Sequence, residues 1–353
     1  MSNVFIITPY GLFNYGNRLQ NYALTRKIEQ FGNSCKTVVY YPAAGLGSMG
    51  KELAKPLVWN PLNRSVRARR YRAFQDFDRA IVKYRVWSKS SLMRLGDKAD
   101  LFCIGSDQIW NPDHLSDPDF QFATFASKQK CIAYAPSFGV DKLPSSCIEG
   151  YRSGLDAIGL ISVREEAGAG IVRELAGLDA PVVLDPTLLL DREQWDVVSS
   201  DRMVPKDRYV FSYFLGKNVE QQRQLVAGYC THERLRNVEV MNLSNPRFYE
   251  AGPQDFISLI KNADLVCTNS FHAAVFSLIY ERPLNIFERS DAGEASMNSR
   301  IINFVNQFEL EESLVPDDEE PQRIALPYDR AKILLATRRS ESEEFLEGAL
   351  KAQ

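Results

Sequence analysis

The chain has 353 residues, which is long for one compact core and comfortable for two domains of ordinary size. A hydrophobic content of 45%, a charged content of 25% and a formal net charge of -3 are typical of a globular protein and argue against nucleic acid as a partner. No stretch approaches the roughly 20 apolar residues of a membrane span, and the N-terminus lacks the basic segment of a signal peptide, so we expect a cytoplasmic location.

The first half of the chain alternates short apolar runs, rich in β-branched residues, with segments of helical period. This pattern is typical of parallel sheets with helical crossovers. The chain opens with a predicted strand at VFIIT, a loop, a helix ending at Gly32 and a second strand at KTVVYY. Residues 51–98 then lose the strand signal and form a basic, aromatic stretch, which we interpret as a helical insert. Strands are predicted again at DLFCIG, KCIAYAPS, LISVRE and PVVLDPT.

A second series of strands and helices begins near Tyr209. Its strands are predicted at YVFSYFL, VEVMNL, DLVCT and PLNIF, with helices between them. We predict an N-terminal Rossmann-like domain at residues 1–190 that carries the insert, and a C-terminal Rossmann-like domain at residues 191–325. A last helix at residues 326–353 is expected to pack back on the first domain. The predicted fold class is α/β, with two parallel-sheet domains facing each other across a cleft.

Neither the cysteines nor the acidic triplets predict a metal site. The six cysteines are scattered without a Cys-x-x-Cys pair, and three of them lie inside apolar runs, as small reduced core residues do. Asp76 and Asp78 stand in a helical stretch, where positions i and i+2 point apart. Asp117 and Asp119 have only loop context, so chance explains both triplets.

One histidine stands where open parallel sheets bind ligands, at the junction of a strand and a helix. His272 follows the strand DLVCT and falls in the first turn of the next predicted helix, after the good N-cap residues Asn269 and Ser270. It is therefore expected beside backbone N–H groups that favour an anion. A histidine bonded only to local backbone is the alternative, and position by itself leaves both interpretations open.

Three further junctions carry polar residues. The loop YGLFNYGN presents Asn14 and Asn17 but lacks the spacing of a dinucleotide or phosphate-binding loop. Ser106 and Asp107 follow the strand DLFCIG, where a carboxylate accepts a hydroxyl proton or caps the next turn. Arg164 ends the strand LISVRE and is suited to bind a carboxylate or phosphate; a salt bridge to Glu165 or Glu166 is the alternative.

Several motifs occur together in a fixed order: FNYGNRLQNYAL, GSDQIWNP, ISVRE, VLDPT and NSFHAAVFSLIYERPL. In this order they resemble the polysaccharide pyruvyl transferase family, over nearly the whole chain. The resemblance implies a two-domain fold similar to that of GT-B glycosyltransferases. It also implies transfer of the pyruvyl group from phosphoenolpyruvate to a sugar of a cell-surface polysaccharide or exopolysaccharide, or of its lipid-linked precursor, as a pyruvate ketal. Ala273 departs from the family, since many members have glycine there, and the insert matches no family motif.

The resemblance assigns His272 and Arg164 to phosphoenolpyruvate, and His272 as imidazolium would protonate or hold the leaving phosphate. Asp107 is the candidate base for an acceptor hydroxyl. Such a reaction requires a proton donor, a base and phosphate stabilisation, and we expect no metal or redox cofactor. The remaining candidate substrate-binding residues are Ser270, Phe271, Ala273, Asn14, Asn17, Ser106 and Arg300.

The basic segment allows three interpretations: a solvated helix face, which we favour, a peripheral contact with the anionic cytosolic face of a membrane, or an RNA contact. Its arginines are Arg64, Arg67, Arg69, Arg70 and Arg72. Two other functions stay open: a nucleotide-sugar-dependent glycosyltransferase of the same architecture, and a non-catalytic saccharide-binding protein. The acceptor sugar, the ketal stereochemistry and the oligomeric state are not predicted.

Overall fold

The computed structural model describes residues 1–41, 62–288 and 295–352, and within 295–299 it describes only the backbone. Contacts divide the chain into two compact units, and each unit contains one sheet. The first unit comprises Met1–Asn63, Asp78–Leu189 and Arg338–Gln353. The second unit comprises Arg64–Phe77 and Leu190–Thr337.

The sheet of the first unit has six parallel strands in the order β3-β2-β1-β4-β5-β6. Its strands are β1 (Asn3–Ile7), β2 (Ser34–Tyr40), β3 (Lys83–Val86), β4 (Leu101–Ile104), β5 (Cys131–Ala133) and β6 (Leu160–Ile161). Its main helices are α1 (Tyr15–Gln30), α3 (Lys89–Lys98), α4 (Pro118–Gln121), α5 (Ile148–Asp156) and α6 (Glu166–Ala176). The interior strands β4 and β5 are buried along their whole length, as expected of a parallel sheet covered on both faces.

The sheet of the second unit has five parallel strands in the order β11-β10-β9-β7-β8. Its strands are β7 (Tyr209–Tyr213), β8 (Arg236–Glu239), β9 (Leu265–Thr268), β10 (Leu284–Phe287) and β11 (Leu314–Val315). Its helices include α7 (Arg192–Asp196), α8 (Glu220–His232), α9 (Pro246–Tyr249), α10 (Pro253–Lys261), α11 (Phe271–Tyr280) and α12 (Ala295–Phe308). Strand β9 is central and wholly buried, so the helix that follows it starts from a rigid support.

The basic helix α2 (Val66–Asp78) packs almost entirely in the second unit, although the sequence analysis placed it within the N-terminal domain. Arg69 forms an ion pair with Glu250, and the fully buried Arg70 donates to the carbonyl of Tyr249 at 2.8 Å. Arg69 and Arg70 are therefore used in packing, which sequence periodicity could not show. The part of the insert at 42–61 lies outside the described residues.

Two strands of the structure were absent from the sequence analysis. Strand β3 lies within the presumed helical insert, and β11 lies in the acidic stretch LEESLVPDDEEPQ, whose composition predicts a solvated linker. Both are edge strands of four residues or fewer, and β3 carries Lys83 and Arg85. Charged side chains are common on edge strands, where they discourage pairing with another chain, so the apolar run that marks a central strand is missing. The predicted strand PVVLDPT is reduced to one bridge between Val182 and Val163.

The last helix, α13 (Tyr328–Lys351), has its residues from Arg338 onward in the first unit. There the hydroxyl of Ser342 accepts from the backbone N–H of Leu184 at 2.9 Å, and Glu343 pairs with Lys27 at 2.7 Å. This half of α13 thus supports the segment that leads to Asp185. None of the helices in the described part of the chain is long and apolar enough to cross a membrane.

Gly105 joins β4 to the polar residues that follow it, and its backbone requires the absence of a side chain. Its φ is +133°, a region that residues other than glycine avoid, and an added Cβ would lie 2.0 Å from the carbonyl oxygen of Tyr134. That oxygen belongs to the backbone just after β5 and cannot rotate away.

We predict that Gly105→Ala lowers the free energy of unfolding of the first unit by roughly 2–4 kcal/mol. Gly150→Ala is the matched control, because Gly150 lies in α5 with nothing within 4 Å of an added Cβ. That control should be neutral or stabilising by up to about 1 kcal/mol. Urea denaturation followed by circular dichroism measures both, and equal stability of Gly105→Ala and the parent would refute the steric argument.

Candidate functional site

In the first unit, Asp107 stands directly beyond the end of β4 in a left-handed backbone conformation, with φ 55°. Its carbonyl oxygen accepts from the backbone N–H of Ser137 at 2.8 Å, which holds the turn against the chain that follows β5. The side-chain amide of Asn17, in the first turn of α1, donates to Asp107 Oδ2 at 2.6 Å. Since only 7% of Asp107 is exposed, its carboxylate is held in one position.

Arg164 follows β6 and lies among three carboxylates of the same unit. Its Nη1 donates to Asp185 Oδ2 at 2.9 Å and lies 3.4 Å from Asp107 Oδ1. Its Nε lies 3.6 Å from Glu165 Oε2. Burial by itself lowers the pKa of Arg164, but the carboxylates of Asp185, Asp107 and Glu165 outweigh it, and the pKa is raised above its ordinary value. The guanidinium is therefore permanently charged.

The carboxylates around Arg164 are themselves held by hydrogen bonds. Asp185 Oδ1 accepts from the backbone N–H of Thr187 at 3.0 Å and from its hydroxyl at 2.6 Å. Glu165 Oε1 accepts from the backbone N–H of Phe138 at 2.9 Å. We call the four residues Asp107, Arg164, Glu165 and Asp185 the carboxylate cluster; each is at most 7% exposed.

Asn14 and Ser106 support this cluster from its edges. The side chain of Asn14 caps α1 by accepting from the backbone N–H of Asn17 at 3.1 Å. Ser106 is fully buried, and its hydroxyl donates to the carbonyl of Ala135 at 2.9 Å, with Asp185 Oδ2 3.3 Å away. The bonds of Ser106 therefore run within the unit.

A second polar cluster surrounds Asp78, the last residue of α2. Its carboxylate accepts from Arg18 Nε at 2.7 Å and from the hydroxyl of Tyr10 at 2.5 Å, and it pairs with Lys83 at 2.9 Å. Burial is the main reason that the pKa of Tyr10 is raised and that of Lys83 lowered. These ion pairs and hydrogen bonds explain the burial of Asp78.

The residues of the other acidic triplet are also engaged in structural contacts. Asp117 caps α4, and Asp119 pairs with Lys89 at 2.7 Å.

In the second unit, His272 is the second residue of α11, as predicted, and is 7% exposed. Ser270 is the N-cap residue, and its side chain makes no capping bond. The first backbone hydrogen bond of the helix runs from the Ala274 N–H to the Ser270 carbonyl. The backbone N–H groups just before Ala274 therefore belong to the first helical turn, which is where helices bind anions. The ring of Phe271 packs edge-on against that of His272, with centroids 5.2 Å apart.

Asn269 ties this helix start to the loop after the neighbouring strand β7. Its Oδ1 accepts from the Leu215 N–H at 2.7 Å, and its Nδ2 donates to the Leu215 carbonyl at 2.8 Å. Strands β7 and β9 are paired up to Tyr213 and Thr268, so both loops leave the same edge of the sheet. We call the two bonds between Asn269 and Leu215 the Asn269 clamp. The clamp brings Gly216, Lys217 and Asn218 to that edge. These three residues were not among the predicted site residues.

Arg300 lies in α12 and is 8% exposed. This helix contacts the start of α11 through Phe304, whose ring lies 5.8 Å from that of Phe271. Ala273 is fully buried and its carbonyl accepts from the Ser277 hydroxyl at 2.9 Å. The structure therefore brings Ser270, Phe271, His272 and Ala273 together, with Arg300 on an adjoining helix.

Asp185 was not among the predicted site residues. It stands in the motif VLDPT, which was quoted for the family resemblance, but an aspartate before a proline is also a common turn residue. Only its bonds to Arg164 and Thr187 distinguish a candidate site residue from an ordinary turn residue at this position. In the described ranges, no group of three His, Cys, Asp or Glu residues could hold a metal ion. The six cysteines are free thiols, and all but Cys147 are buried.

The two sheets and the polar residues at their strand ends define a two-unit α/β protein with candidate ligand-binding edges. A family model described as polysaccharide pyruvyl transferase matches residues 14–291. This match covers most of the chain, and the chain therefore belongs to the polysaccharide pyruvyl transferase family, as the motifs indicated. A comparison with curated protein sequences gives no significant match.

Solved structures show similarity over the full length at low sequence identity. A putative UDP-N-acetylglucosamine 2-epimerase from Listeria monocytogenes is 13% identical, with 97% of each chain covered and a TM-score of 0.50. MurG from Acinetobacter baumannii is 11% identical over 100% of this chain and 96% of its own, with a TM-score of 0.46. UDP-GlcNAc 2-epimerase from Neisseria meningitidis is 10% identical over 96% and 99%, with a TM-score of 0.45. The first of these shows a shared fold only. The α/β, GT-B-like fold class with two parallel sheets is confirmed.

The Asn269 clamp gives a pH-dependent prediction. Asn269→Asp keeps the acceptor for the Leu215 N–H but replaces the amide donor, which should cost about 1–3 kcal/mol of unfolding free energy at pH 7. The protonated carboxyl donates again to the Leu215 carbonyl, so its pKa is raised in the folded state. The lost stability should therefore return as the pH falls below the raised value.

Asn306→Asp is the matched control, since Asn306 is exposed on α12. Urea denaturation at several pH values between 4 and 8 gives the measurement. A pH-independent loss, or the same profile in both variants, would contradict the clamp.

Proposed function

We propose that the chain transfers the pyruvyl group of phosphoenolpyruvate to a sugar of a cell-surface polysaccharide or exopolysaccharide, or of its lipid-linked precursor, and forms a pyruvate ketal. Membership of the polysaccharide pyruvyl transferase family supports a transferase acting on a polysaccharide. The observation that carries the choice of donor is His272, nearly buried in the first turn of α11 beyond the central strand β9.

The donor has a phosphate and a carboxylate on three carbons, and a small dianionic ligand suits a helix N-terminus. The first turn of α11 supplies backbone N–H groups at Phe271, His272 and Ala273, together with the positive end of the helix dipole. Arg300 is the proposed cation for the donor in the second unit. The resemblance implies that Arg164 contacts the donor as well.

The reaction needs no external oxidant, reductant or proton source. One sugar hydroxyl attacks C2 of phosphoenolpyruvate while C3 gains a proton, the bond from C2 to the phosphate oxygen breaks, and a second hydroxyl closes the ketal ring on C2. Of the two hydroxyl protons, one balances the proton gained by C3 and the other leaves with phosphate. We assign His272, as imidazolium, to the departing phosphate, and Asp107 to the first acceptor hydroxyl. Asn14, Asn17 and Ser106 position the loops around Asp107.

The acceptor is a saccharide, and we propose a cytoplasmic reaction because phosphoenolpyruvate is an intracellular metabolite. Peripheral contact with an anionic membrane face remains part of this proposal only for the exposed arginines of the basic segment. Arg64 and Arg67 are exposed, whereas Arg69 and Arg70 are engaged within the second unit. A membrane contact through α2 would therefore be weak and sensitive to salt.

We predict acceptor-dependent release of phosphate from phosphoenolpyruvate across a panel of glycosides and lipid-linked saccharides. His272→Ala should reduce this release by at least about 10²-fold, because both proton transfer to phosphate and its binding are lost. Phosphoenolpyruvate should raise the melting temperature of the parent but not of His272→Ala. His232→Ala is the matched control, since the side chain of His232 is 82% exposed on α8 of the same unit.

The same panel contains nucleotide diphosphate sugars, which test the alternative donor. Thermal stabilisation by a nucleotide sugar, with no stabilisation and no phosphate release by phosphoenolpyruvate, would overturn the donor assignment. Equal loss of activity in His272→Ala and His232→Ala would remove the special role of His272.

A further inference from the structure

Two exposed apolar side chains lie close together at one corner of the second unit. Met241 and Leu243, in the loop after β8, are 36% and 54% exposed. Single exposed apolar residues are ordinary on protein surfaces. Here, however, two occur within three positions of one loop, and β8 is an edge strand of its sheet.

Helix α2 packs against this loop through Arg70. Its Nη2 lies 2.7 Å from Met241 Sδ, and its Nη1 donates to the carbonyl of Tyr249 at 2.8 Å. Arg67 stands three positions before Arg70, so it lies on the same face of α2, one turn nearer the start of the helix. Arg70 is fully buried, whereas Arg67 is exposed. The exposed Arg67 is therefore a neighbour of the loop after β8.

The charges at this corner are of one sign. Arg64, Arg67 and Arg247 are exposed, and none of the three forms an ion pair within the described residues. The segments 64–72 and 240–249 contain no acidic residue. An anionic partner would therefore meet several exposed cations here and no carboxylate from either segment.

The loop that carries Leu243 is ordered by its own hydrogen bonds. Glu239, the last residue of β8, pairs with Arg223 at 2.5 Å and accepts from Asn242 Nδ2 at 2.6 Å. Asn242 Oδ1 accepts from the backbone N–H of Ser244 at 2.9 Å. Since these bonds hold the residues on both sides of Leu243, its exposure belongs to a fixed turn. Burying this leucine within the chain would require the turn to break.

We infer that this corner is a docking surface for an anionic lipid bilayer. We call its five residues the basic-apolar patch: Arg64, Arg67, Met241, Leu243 and Arg247. Apolar side chains leave water when they enter the interfacial region of a bilayer, and each nearby arginine adds attraction to anionic headgroups. The loop after β8 thus supplies the apolar contact that the basic segment lacks by itself.

The combination of cations with an exposed leucine favours a bilayer over a soluble polyanion. A polyanion would attract the arginines but would offer Leu243 no apolar surroundings. The formal net charge of -3 also argues against a nucleic acid. A lipid surface provides both an anionic layer and an apolar interior, so it matches both parts of the patch.

The patch lies at the same edge of the sheet as the proposed donor site. Strands β9, β7 and β8 are parallel neighbours in this order, so the loops that follow them leave one edge. The end of β8 is therefore about 10 Å, or two strand spacings, from the end of β9, which leads to His272. A saccharide linked to a membrane lipid would be met at this edge. Only this link to the acceptor rests on the proposed pyruvyl transfer, whereas binding to a bilayer does not.

We expect the full chain to cosediment with vesicles made of about equal parts of phosphatidylcholine and phosphatidylglycerol, and far less with phosphatidylcholine alone. Leu243→Ser should weaken this binding by roughly tenfold, because its side chain no longer leaves water. Arg67→Gln and Arg247→Gln should each weaken it by about fivefold at low salt. Binding of the parent should fall as the salt concentration rises from about 0.05 to 0.5 M.

Ile333→Ser and Arg234→Gln are the matched controls. Ile333 is 60% exposed on α13 within the second unit, and Arg234 is exposed just before β8, at the opposite edge of the sheet. Both variants should bind vesicles like the parent. All four substitutions are at exposed positions, so the melting temperature should stay that of the parent.

Fluorescence shows whether the loop enters the bilayer. Brominated phospholipids in the same vesicles should quench the fluorescence added by Leu243→Trp but not that added by Ile333→Trp. No binding of the parent to anionic vesicles, or equal losses in Leu243→Ser and Ile333→Ser, would overturn the inference. Binding to RNA or to a soluble anionic polysaccharide, without binding to vesicles, would overturn it as well.

These measurements require no turnover, so the two proposals fail separately. A protein that binds vesicles through the patch but releases no phosphate from phosphoenolpyruvate keeps the docking surface and loses the proposed transfer. A protein that releases phosphate with soluble acceptors but does not bind vesicles keeps the transfer and loses the docking surface.

Discussion

The parallel direction of the strands is the constraint on which both units depend. Every connection between two parallel neighbours must run back along the sheet, and most of these connections are helices, so the ends of all the strands collect at one edge. Asn17 and Asp107 are 90 residues apart and still share a hydrogen bond of 2.6 Å, because α1 and the turn after β4 both begin at that edge. The same geometry in the second unit places Asn269 against Leu215.

Buried ion pairs are the second feature that holds the first unit together. An arginine that is 5% exposed would be costly without partners, and three buried carboxylates would be costly without a cation. Their mutual attraction ties together the ends of β4 and β6 and the segment before Thr187. Removing Arg164 would take this cation from all three carboxylates, so the arrangement favours one defined geometry over several similar ones.

The two units offer opposite chemistry to a ligand. The polar edge of the first unit carries Asp107, the proposed base for an acceptor hydroxyl. The edge of the second unit carries a helix N-terminus, a histidine packed against Phe271 and an arginine on α12, which suit an anion. The proposed function assigns the anionic donor to the second of these surfaces.

Sequence by itself determined the fold class, the central strands and the helix start at His272, because buried parallel strands are continuous apolar runs and N-cap residues mark helix starts. The motifs were also sufficient for the family. Tertiary structure alone decided the edge strands β3 and β11, the packing of α2 in the second unit and the partners of Arg164. The bond between Arg164 and Asp185 shows the physical reason. Local sequence offered Glu165 and Glu166 as partners, whereas the partner with the shortest contact lies on a segment 21 residues away that only the folded sheet brings near.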